Sequence, residues 1–181
     1  MANRIIAISG KSGCGNTTVC EMLEKRLGLR LVNYTFRSLA RDRGIEFERL
    51  LELAQTDFSW DRAVDERQVE LARQADSVVG SRLAMWLLPD AVLRVYLWAT
   101  PQVRALRIHT REGRNLQEIM EFTEKRDRQD HDRYLELYGI DNDDWRQADL
   151  TINTERFLPR EIASIVETAY LNKLAKPARH A

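Results

Sequence analysis

The fold of this chain is decided by one stretch, Ser9-Gly10-Lys11-Ser12-Gly13-Cys14-Gly15-Asn16-Thr17-Thr18. It follows the apolar run Ile5–Ile8 and precedes a segment whose apolar residues recur at helical spacing. This is the strand, glycine loop and helix order of a phosphate-binding P-loop. Glycines let the backbone curl so that successive amides and the helix N-terminus face a phosphate. The pattern predicts that Gly10–Thr18 bind nucleotide phosphates, with the Thr17 hydroxyl directed to a phosphate-bound Mg²⁺.

The loop departs from the P-loop pattern at one position. The motif G-x-x-x-x-G-K-[ST] has lysine where this chain has Asn16, so the usual positive charge is missing. Lys11 follows the first glycine, and its flexible stem can carry an ammonium back over the loop to the β- and γ-phosphates. We therefore predict a catalytic role for Lys11. Two alternatives stay open, a solvated loop lysine and a glycine turn that merely connects strand and helix.

The composition gives the chain no overall charge. Its 181 residues hold 28 Lys and Arg against 28 Asp and Glu, so no net field attracts nucleic acid or an anionic membrane. The length suits a single domain, residues 1–181. No signal-like segment stands at the start, and no apolar run approaches the roughly 20 residues of a membrane span. We expect a cytoplasmic protein without nucleic-acid or membrane partners.

Cysteine, histidine and acidic residues give no sign of a resident metal site. Cys14 and Cys20 are too few for a disulfide scaffold or a zinc site, and we expect both to be unreactive thiols. The three histidines have no ligand-like spacing. The acidic run Asp141-Asn142-Asp143-Asp144 lacks the glycine and glutamate of a calcium loop, so we expect a solvated turn there.

Strand and helix patterns alternate along the chain. This order predicts an α/β fold of three layers, in which helices cover both faces of a five-stranded parallel sheet. A long helical region, about 34–75, separates the second and third strands and is large enough to be an inserted substrate-binding flap. The residues 175–181 are expected to form a frayed tail. After Ile5–Ile8, the predicted strands are Leu29–Val32, Ser77–Gly80, Leu93–Trp98 and Asp149–Asn153.

Arginines gather near the carboxyl ends of the predicted strands, where parallel sheets bind ligands. Two bound nucleotides need such a distributed positive charge because their phosphates repel each other, and phosphoryl transfer depends on positioning and charge neutralisation. Carboxylates such as Asp61, Asp65 and Asp130 would instead bind hydroxyl groups or base edges. The arginines concerned are Arg37, Arg41, Arg82, Arg104, Arg107, Arg111, Arg126 and Arg133.

One helix carries a charged stripe with two interpretations. Arg126, Asp130 and Arg133 stand at positions i, i+4 and i+7, so the three side chains share a face. The stripe suits a nucleotide and its transferring phosphoryl group. Ordinary ion pairing along a solvated helix would produce the same spacing, and the sequence alone does not separate these interpretations.

The chain resembles the shorter, type 2 cytidylate kinases, which belong to the P-loop nucleoside monophosphate kinases. Each matching motif is weak alone, but together, in order and with sensible spacing, they are specific. The resemblance extends from Ile5 to about Tyr170. The motifs are Ile8-Ser9-Gly10 through Thr18, Leu27-Gly28-Leu29, Asp61-Arg62 with Asp65 and Gln68, Arg82-Leu83-Ala84 with Trp86, Val103-Arg104-Ala105 with Arg107, Arg111-Glu112-Gly113, Arg126–Tyr134, Tyr138-Gly139-Ile140-Asp141 and Asp149-Leu150 through Thr154.

This resemblance implies a core domain with a nucleoside-monophosphate-binding flap, about 34–75, and a mobile lid, about 104–133. It implies transfer of the γ-phosphoryl group of ATP, with Mg²⁺, to CMP or dCMP. The loop 153–157 would pass over the adenine. A monomer is expected. Members of the family can lack the P-loop lysine, which is compatible with Asn16 and with a cation moved to Lys11.

The resemblance also implies roles for individual side chains. The P-loop, Gly10–Thr18, would hold the ATP phosphates. Three groups of residues would surround the two nucleotides: Arg37, Arg41 and Arg82 at the acceptor phosphate, Arg104, Arg107 and Arg111 bordering the lid beside ATP, and Arg126, Asp130 and Arg133 at the acceptor nucleotide and the transferring group.

Two other functions stay open from the sequence. A kinase for another small acceptor would keep the glycine loop without needing the stripe of Arg126, Asp130 and Arg133 to fit a nucleotide. A nucleotide-binding regulator would explain Asn16 as a mark of lost catalysis. Whether CMP is preferred to dCMP, and whether UMP is accepted, is also open.

Overall fold

Five parallel strands form one sheet at the centre of the protein. A computed structural model describes residues 3–175 and gives the strand order β2-β3-β1-β4-β5. Every neighbouring pair is parallel. The predicted α/β fold is therefore confirmed. The strands are β1 (Ile5–Ser9), β2 (Arg30–Val32), β3 (Ser77–Gly80), β4 (Leu93–Trp98) and β5 (Leu150–Asn153).

Eight helices lie within the described residues. The last one ends at Ala175, and the rest of the predicted tail lies outside the part of the chain that the structure describes. None of the helices within residues 3–175 is both long enough and apolar enough to cross a lipid bilayer. The helices are α1 (Asn16–Leu27), α2 (Phe36–Arg43), α3 (Phe47–Leu53), α4 (Ser59–Ala72), α5 (Ala84–Leu87), α6 (Pro101–Glu112), α7 (Leu116–Tyr138) and α8 (Pro159–Ala175).

The central strand β1 contributes to two cores, one on each face of the sheet. Successive side chains of a strand point to opposite faces. Ile6 and Ile8 accordingly pack in the core that contains buried residues of α1 and α8. Ile5 and Ala7 pack in the other core, which α5 and the end of α4 complete. All four side chains are at most 3% exposed. The sheet is thus a layer between two layers of helices.

Two groups of helices carry small cores of their own. Leu39, Leu50 and Val64 are buried together where α2, α3 and α4 meet between β2 and β3. Ala105 and Ile119 belong to a second small cluster between α6 and α7. The predicted flap and lid correspond to these two regions of the chain, and their boundaries and motion remain predictions.

Both cysteines are buried free thiols, as expected from the sequence. Cys14 lies in the glycine loop and Cys20 in α1, and each is at most 2% exposed. Burial raises the pKa of both thiols, that of Cys20 to about 12. A group that stays protonated and covered is a poor nucleophile, so the two thiols serve as packing groups.

Candidate active site

A cleft of about 980 Å³ opens at the carboxyl edge of the sheet. Ligands of open parallel sheets bind at this edge. Most of the sequence-predicted site residues line the cleft: Gly10, Lys11, Ser12, Gly13, Cys14, Gly15, Asn16, Thr17, Thr18, Arg37, Asp61, Asp65, Arg82, Arg107, Arg111 and Arg126. Four others are not part of the lining: Arg41, Arg104, Asp130 and Arg133.

The glycine loop connects β1 to α1 in the middle of this edge. Gly13 and Gly15 adopt positive φ angles of 86° and 98°, which side chains rarely permit. A Cβ on Gly13 would also lie 2.8 Å from the backbone oxygen of Arg104. Since α1 begins at Asn16, its first-turn amides lack carbonyl partners within the helix. The exposed Thr17 lies in this turn, and the whole arrangement suits a phosphate group.

Asn16, the residue in place of the P-loop lysine, braces the loop. Its Nδ2 donates a hydrogen bond of 2.8 Å to the backbone oxygen of Gly10, so the last part of the loop is tied to its beginning. The Asn16 Oδ1 is buried without a hydrogen-bond partner among the described residues. This side chain therefore shapes the loop but supplies no charge to a phosphate.

Lys11 is paired rather than free in solvent. Its Nζ lies 2.5 Å from Oδ1 of Asp143, and the lysine side chain is 23% exposed. Asp143 belongs to the acidic run that we expected to be a solvated turn, and its side chain is indeed 54% exposed. Sequence reasoning missed the contact with the P-loop, for which the acidic run itself was the only signal. The structure thus places the ammonium group of Lys11 at the cleft, paired with a carboxylate.

The same acidic run meets a histidine of α7. The Nδ1 of His131 lies 3.7 Å from Asp141 and 3.6 Å from Asp143. Potential metal-ligating atoms of these three residues lie within 4.8 Å of one another. Lys11 already supplies a positive charge to Asp143. The spacing along the chain gave no sign of this cluster.

Two guanidinium groups share one carboxylate beside the loop. The Nε of Arg82 lies 3.0 Å from Oδ2 of Asp130, and that of Arg126 lies 3.9 Å from the same oxygen. Arg82 also donates to Oγ of Ser12, at 2.7 Å. Burial disfavours the charge of Arg82, but Asp130 and other neighbours outweigh it and raise the pKa of Arg82. Burial and the nearby Arg82 lower the pKa of Arg126. An anion bound here would relieve this surplus of positive charge.

Arg104 is buried, pairs with a carboxylate of α7 and does not line the cleft. It is 3% exposed, and its Nη2 donates to Oδ2 of Asp127 at 2.6 Å. Its Nη1 donates to the backbone oxygen of Ser12 at 3.1 Å. The predicted contact was with ATP at the border of the lid. In the structure, this side chain supports the glycine loop through its hydrogen bond to the backbone oxygen of Ser12.

Arg107 reaches both the loop and the strand end beyond it. Its guanidinium donates to the backbone oxygen of Gly13 at 3.2 Å and to Oγ1 and the backbone oxygen of Thr154 at 2.8 and 2.7 Å. Arg111 lines the cleft one turn later, is 68% exposed and pairs with Glu112 at 2.6 Å. Of the three predicted lid arginines, Arg111 has the freest side chain.

Acidic residues of α4 form the opposite wall of the cleft. Oδ1 of Asp61 accepts from Arg133 at 2.9 Å, and Oδ2 of Asp65 accepts from the hydroxyl of Tyr138 at 2.8 Å. Burial raises the pKa of Asp61 even though Arg133 opposes the shift. Burial likewise raises the pKa of Asp65, to about 6. Arg133 thus contacts the wall through Asp61 and does not itself line the cleft.

The structure separates the two arginines of α2. Arg37 lines the cleft, with its guanidinium carbon 3.9 Å from the centre of the Phe47 ring. The side chain of Arg41 is 78% exposed and lies 3.4 Å from Asp42. Helical residues four apart in sequence lie on one face of the helix. Only Arg37 is oriented toward the cleft in this arrangement of the helices.

Comparison with known proteins identifies the family. The model of the cytidylate kinase-like family matches residues 5–156. The chain belongs to this family. It is 42% identical over 165 residues to Cytidylate kinase 2 of Borreliella afzelii, covering 89% of this chain and 93% of the relative. It is 38% identical over 167 residues to the cytidylate kinase of Pyrococcus abyssi, covering 91% and 92%. The resemblance seen in the sequence motifs is confirmed.

Solved structures with little sequence identity share the fold of this cytidylate kinase-like chain. Shikimate kinase from Acinetobacter baumannii, in complex with shikimate, superposes with a TM-score of 0.66 at 18% identity and covers 96% of each chain. A gluconokinase from Sinorhizobium meliloti superposes with a TM-score of 0.54 at 17% identity, covering 94% of this chain and 92% of the other. These similarities concern the fold alone.

Proposed function

We propose that this protein transfers the γ-phosphoryl group of ATP to CMP or dCMP, giving ADP and CDP or dCDP. The proposal depends mainly on one observation. The glycine loop and the arginines Arg82 and Arg126 line the same continuous cleft. The names of the relatives support cytidylate as the acceptor.

ATP would occupy the end of the cleft formed by the glycine loop. The amides of Gly10–Thr18 would bind its phosphates, with Arg111 nearby. Phe157 and Leu158 line this end and are 43% and 51% exposed, so they offer an apolar surface to the adenine. Mg²⁺ would neutralise phosphate charge, and the exposed Thr17 is the hydroxyl in the loop that fits it.

The acceptor would bind between α4 and the arginines. Arg37 and Arg82 would hold its phosphate, and Arg41 would join them if α2 moved inward. Asp61 and Asp65 would face the nucleoside. Asp130 and Arg133 would then act by holding Arg82 and Asp61 in place, since each forms an ion pair with one of them.

Transfer would require positioning rather than a general base. An oxygen of the acceptor phosphate, which is already anionic, attacks the γ-phosphorus while the bond to the β–γ bridging oxygen breaks. Charge on the transferring group spreads over its oxygens, where guanidinium and ammonium groups stabilise it. We propose Lys11 and Arg126 for this role, joined by Arg133 if closure of the cleft turns its guanidinium group from Asp61 toward the phosphates. Lys11 would leave Asp143 as the phosphates enter.

Further parts of the proposal concern the whole molecule. The helices within 34–75 would close as a flap over the acceptor, and the segment 104–133 would close as a lid over ATP. Arg104 and Arg107 would keep the glycine loop in shape during closure. The protein would work as a monomer in the cytoplasm.

A panel of acceptors tests the proposed function. ADP release from ATP and Mg²⁺ is measured with CMP, dCMP, UMP, AMP or GMP present. We expect turnover with CMP or dCMP above that with the other acceptors. Turnover with a different acceptor would support another small-molecule kinase. Binding of ATP without transfer to any acceptor would support the regulatory alternative suggested by Asn16.

A further inference from the structure

One buried side chain in the wall of the cleft lacks a partner for one of its polar atoms. Gln68 of α4 is 1% exposed and lines the cleft together with Ser81. Its Nε2 donates to the Ser81 hydroxyl at 2.9 Å. Its Oε1 is buried and has no hydrogen-bond partner among residues 3–175. Buried carbonyl oxygens are nearly always paired, so this one requires an explanation.

A second unpaired oxygen lies on the same helix. Oδ2 of Asp61 is also buried without a hydrogen-bond partner in the described part of the chain. Asp61, Asp65 and Gln68 stand at i, i+4 and i+7 and all line the cleft. The wall of α4 therefore presents hydrogen-bond acceptors. The ligand edge that suits it carries hydrogen-bond donors.

We propose that Gln68 recognises the 4-amino group of cytosine, which donates to its Oε1, and that it thereby selects CMP and dCMP over UMP. Uracil carries a carbonyl oxygen at the same position, and two acceptors facing each other repel. The inference rests on the proposed function and deepens it. Because Ser81 holds the amide nitrogen, the free atom in the observed orientation is the acceptor.

Contact with the base requires a small local movement. The Oε1 atom is covered, so a rotation of the Gln68 side chain or a shift of α4 must uncover it. The helix α4 lies in the proposed flap, where closure supplies such a shift. A base with a donor at this position forms a hydrogen bond with the Gln68 oxygen, whereas a base without one leaves the oxygen unpaired. The free-energy cost of that unpaired oxygen is the usual reason why a polar site discriminates strongly between ligands.

The contact between Gln68 and the amino group is tested by changing the protein and the acceptor, separately and together. Three acceptors are compared: CMP, UMP and the 5′-monophosphate of the pyrimidin-2-one riboside, which has hydrogen in place of the amino group. We expect kcat/KM of the parent to fall in the order CMP, pyrimidinone, UMP. One hydrogen bond to a buried acceptor corresponds to about a tenfold to hundredfold loss between the first two.

The variant Gln68→Met removes the acceptor at similar volume. We expect it to lower kcat/KM for CMP and to bring CMP and the pyrimidinone within about twofold of each other, because the lost hydrogen bond no longer distinguishes them. The ratio of CMP to dCMP should not change, because these acceptors carry the same base and differ only at the 2′ position of the sugar. The exposed glutamine of α6 provides a matched control, Gln102→Met, which should keep the parent's preferences.

The variant Gln68→Glu retains an acceptor and removes the donor. In mildly alkaline buffer its ionised carboxyl group can only accept, and the Ser81 hydroxyl can donate to it. We expect the preference for CMP over UMP to equal or exceed that of the parent. This variant keeps the inference testable if Gln68→Met fails to fold.

Different results overturn the inference and the proposed function. A parent that uses CMP and the pyrimidinone equally, a Gln68→Met variant that keeps the parent's ratio, or a Gln68→Glu variant that loses the preference would each exclude recognition of the amino group by Gln68. A changed ratio of CMP to dCMP would assign Gln68 to the ribose instead. A parent that transfers nothing to CMP would overturn the proposed function itself.

Discussion

The ammonium of Lys11 lies 2.5 Å from a carboxylate oxygen of Asp143, which joins the glycine loop to the segment that follows α7. Because the two side chains are 23% and 54% exposed, the pair contributes little to stability, about 0–1 kcal/mol. The pair matters instead because it limits how readily Lys11 can bind a phosphate. A phosphate that recruits Lys11 must compete with Asp143.

Removal of the ammonium is expected to affect transfer more than binding of the acceptor. For Lys11→Ala we predict that kcat falls by about a hundredfold or more, since charge on the transferring group loses a stabilising cation. The KM for CMP should change by less than about threefold, because the arginines hold the acceptor. Steady-state kinetics measure both quantities. The exposed lysine of α1 provides the control, Lys25→Ala, and an unaltered kcat in Lys11→Ala would remove Lys11 from the mechanism.

Loss of the competing carboxylate is expected to strengthen ATP binding. For Asp143→Asn we predict a decrease of up to about fivefold in the KM for ATP, the range expected for one exposed ion pair. The effect should vanish in the Lys11→Ala background, since both changes act through one contact. Initial rates at varied ATP measure it, with the neighbouring Asp144→Asn as control. A higher KM for ATP in Asp143→Asn would contradict this function of the pair.

The fold could be predicted from the sequence because its strands and helices begin and end at local sequence signals. The apolar run of β1 and the glycine loop were predicted, and the limits of α2, Phe36–Arg43, are set by local signals of the same kind. Thr35 caps this helix by accepting from the amide of Ser38, and Gly44 ends it with a φ of 63°. Such signals lie within a few residues of the boundaries that they determine.

The side-chain contacts of the site could not be predicted in the same way, because they join residues that are far apart in the sequence. No spacing rule relates Lys11 to Asp143 or Arg104 to Asp127, since the first pair joins the glycine loop to the segment after α7 and the second joins α6 to α7. The brace from Asn16 to Gly10 is local, but it depends on the curl of the loop. Sequence therefore identified the charged groups of the cleft without identifying which of them bind each other.

The buried pair of Arg104 and Asp127 is expected to be important for stability. For Arg104→Met we predict a loss of about 3–5 kcal/mol in the free energy of unfolding, because Asp127 keeps a poorly solvated charge without its partner. Urea denaturation measures the loss. The double variant with Asp127→Leu should recover part of it. The exposed Arg128→Met on the same helix as Asp127 is the control, and a change below 1 kcal/mol in Arg104→Met, within the range of ordinary surface pairs at about 0–1 kcal/mol, would contradict the prediction.

The pKa of Asp65 predicts a dependence of stability on pH. Burial raises this pKa from 3.8 to about 6, so between these values the folded protein binds a proton that the unfolded chain releases. The contribution of the protonated carboxyl is complete below the unfolded pKa and is lost as pH rises through the folded pKa. At about 1.4 kcal/mol per pKa unit, the loss is at most about 3 kcal/mol.

Asp65→Asn should remove this dependence while its amide oxygen still accepts from Tyr138. We expect the free energy of unfolding of the variant, relative to the parent, to increase as pH rises through the window between the two values. Urea denaturation at a series of pH values measures the difference. The exposed Asp132→Asn serves as control. A difference that stays constant with pH would show that Asp65 ionises as readily in the folded as in the unfolded protein.

The central claim is that the cleft aligns two nucleotides for transfer between them. The most direct measurement follows the γ-phosphoryl group itself, with ATP labelled at that phosphate, Mg²⁺ and CMP, and with chromatographic separation of the products. The account predicts that the label appears in CDP, in equal amount to the ADP formed. Label found only in inorganic phosphate, or still in ATP after prolonged incubation, would contradict it.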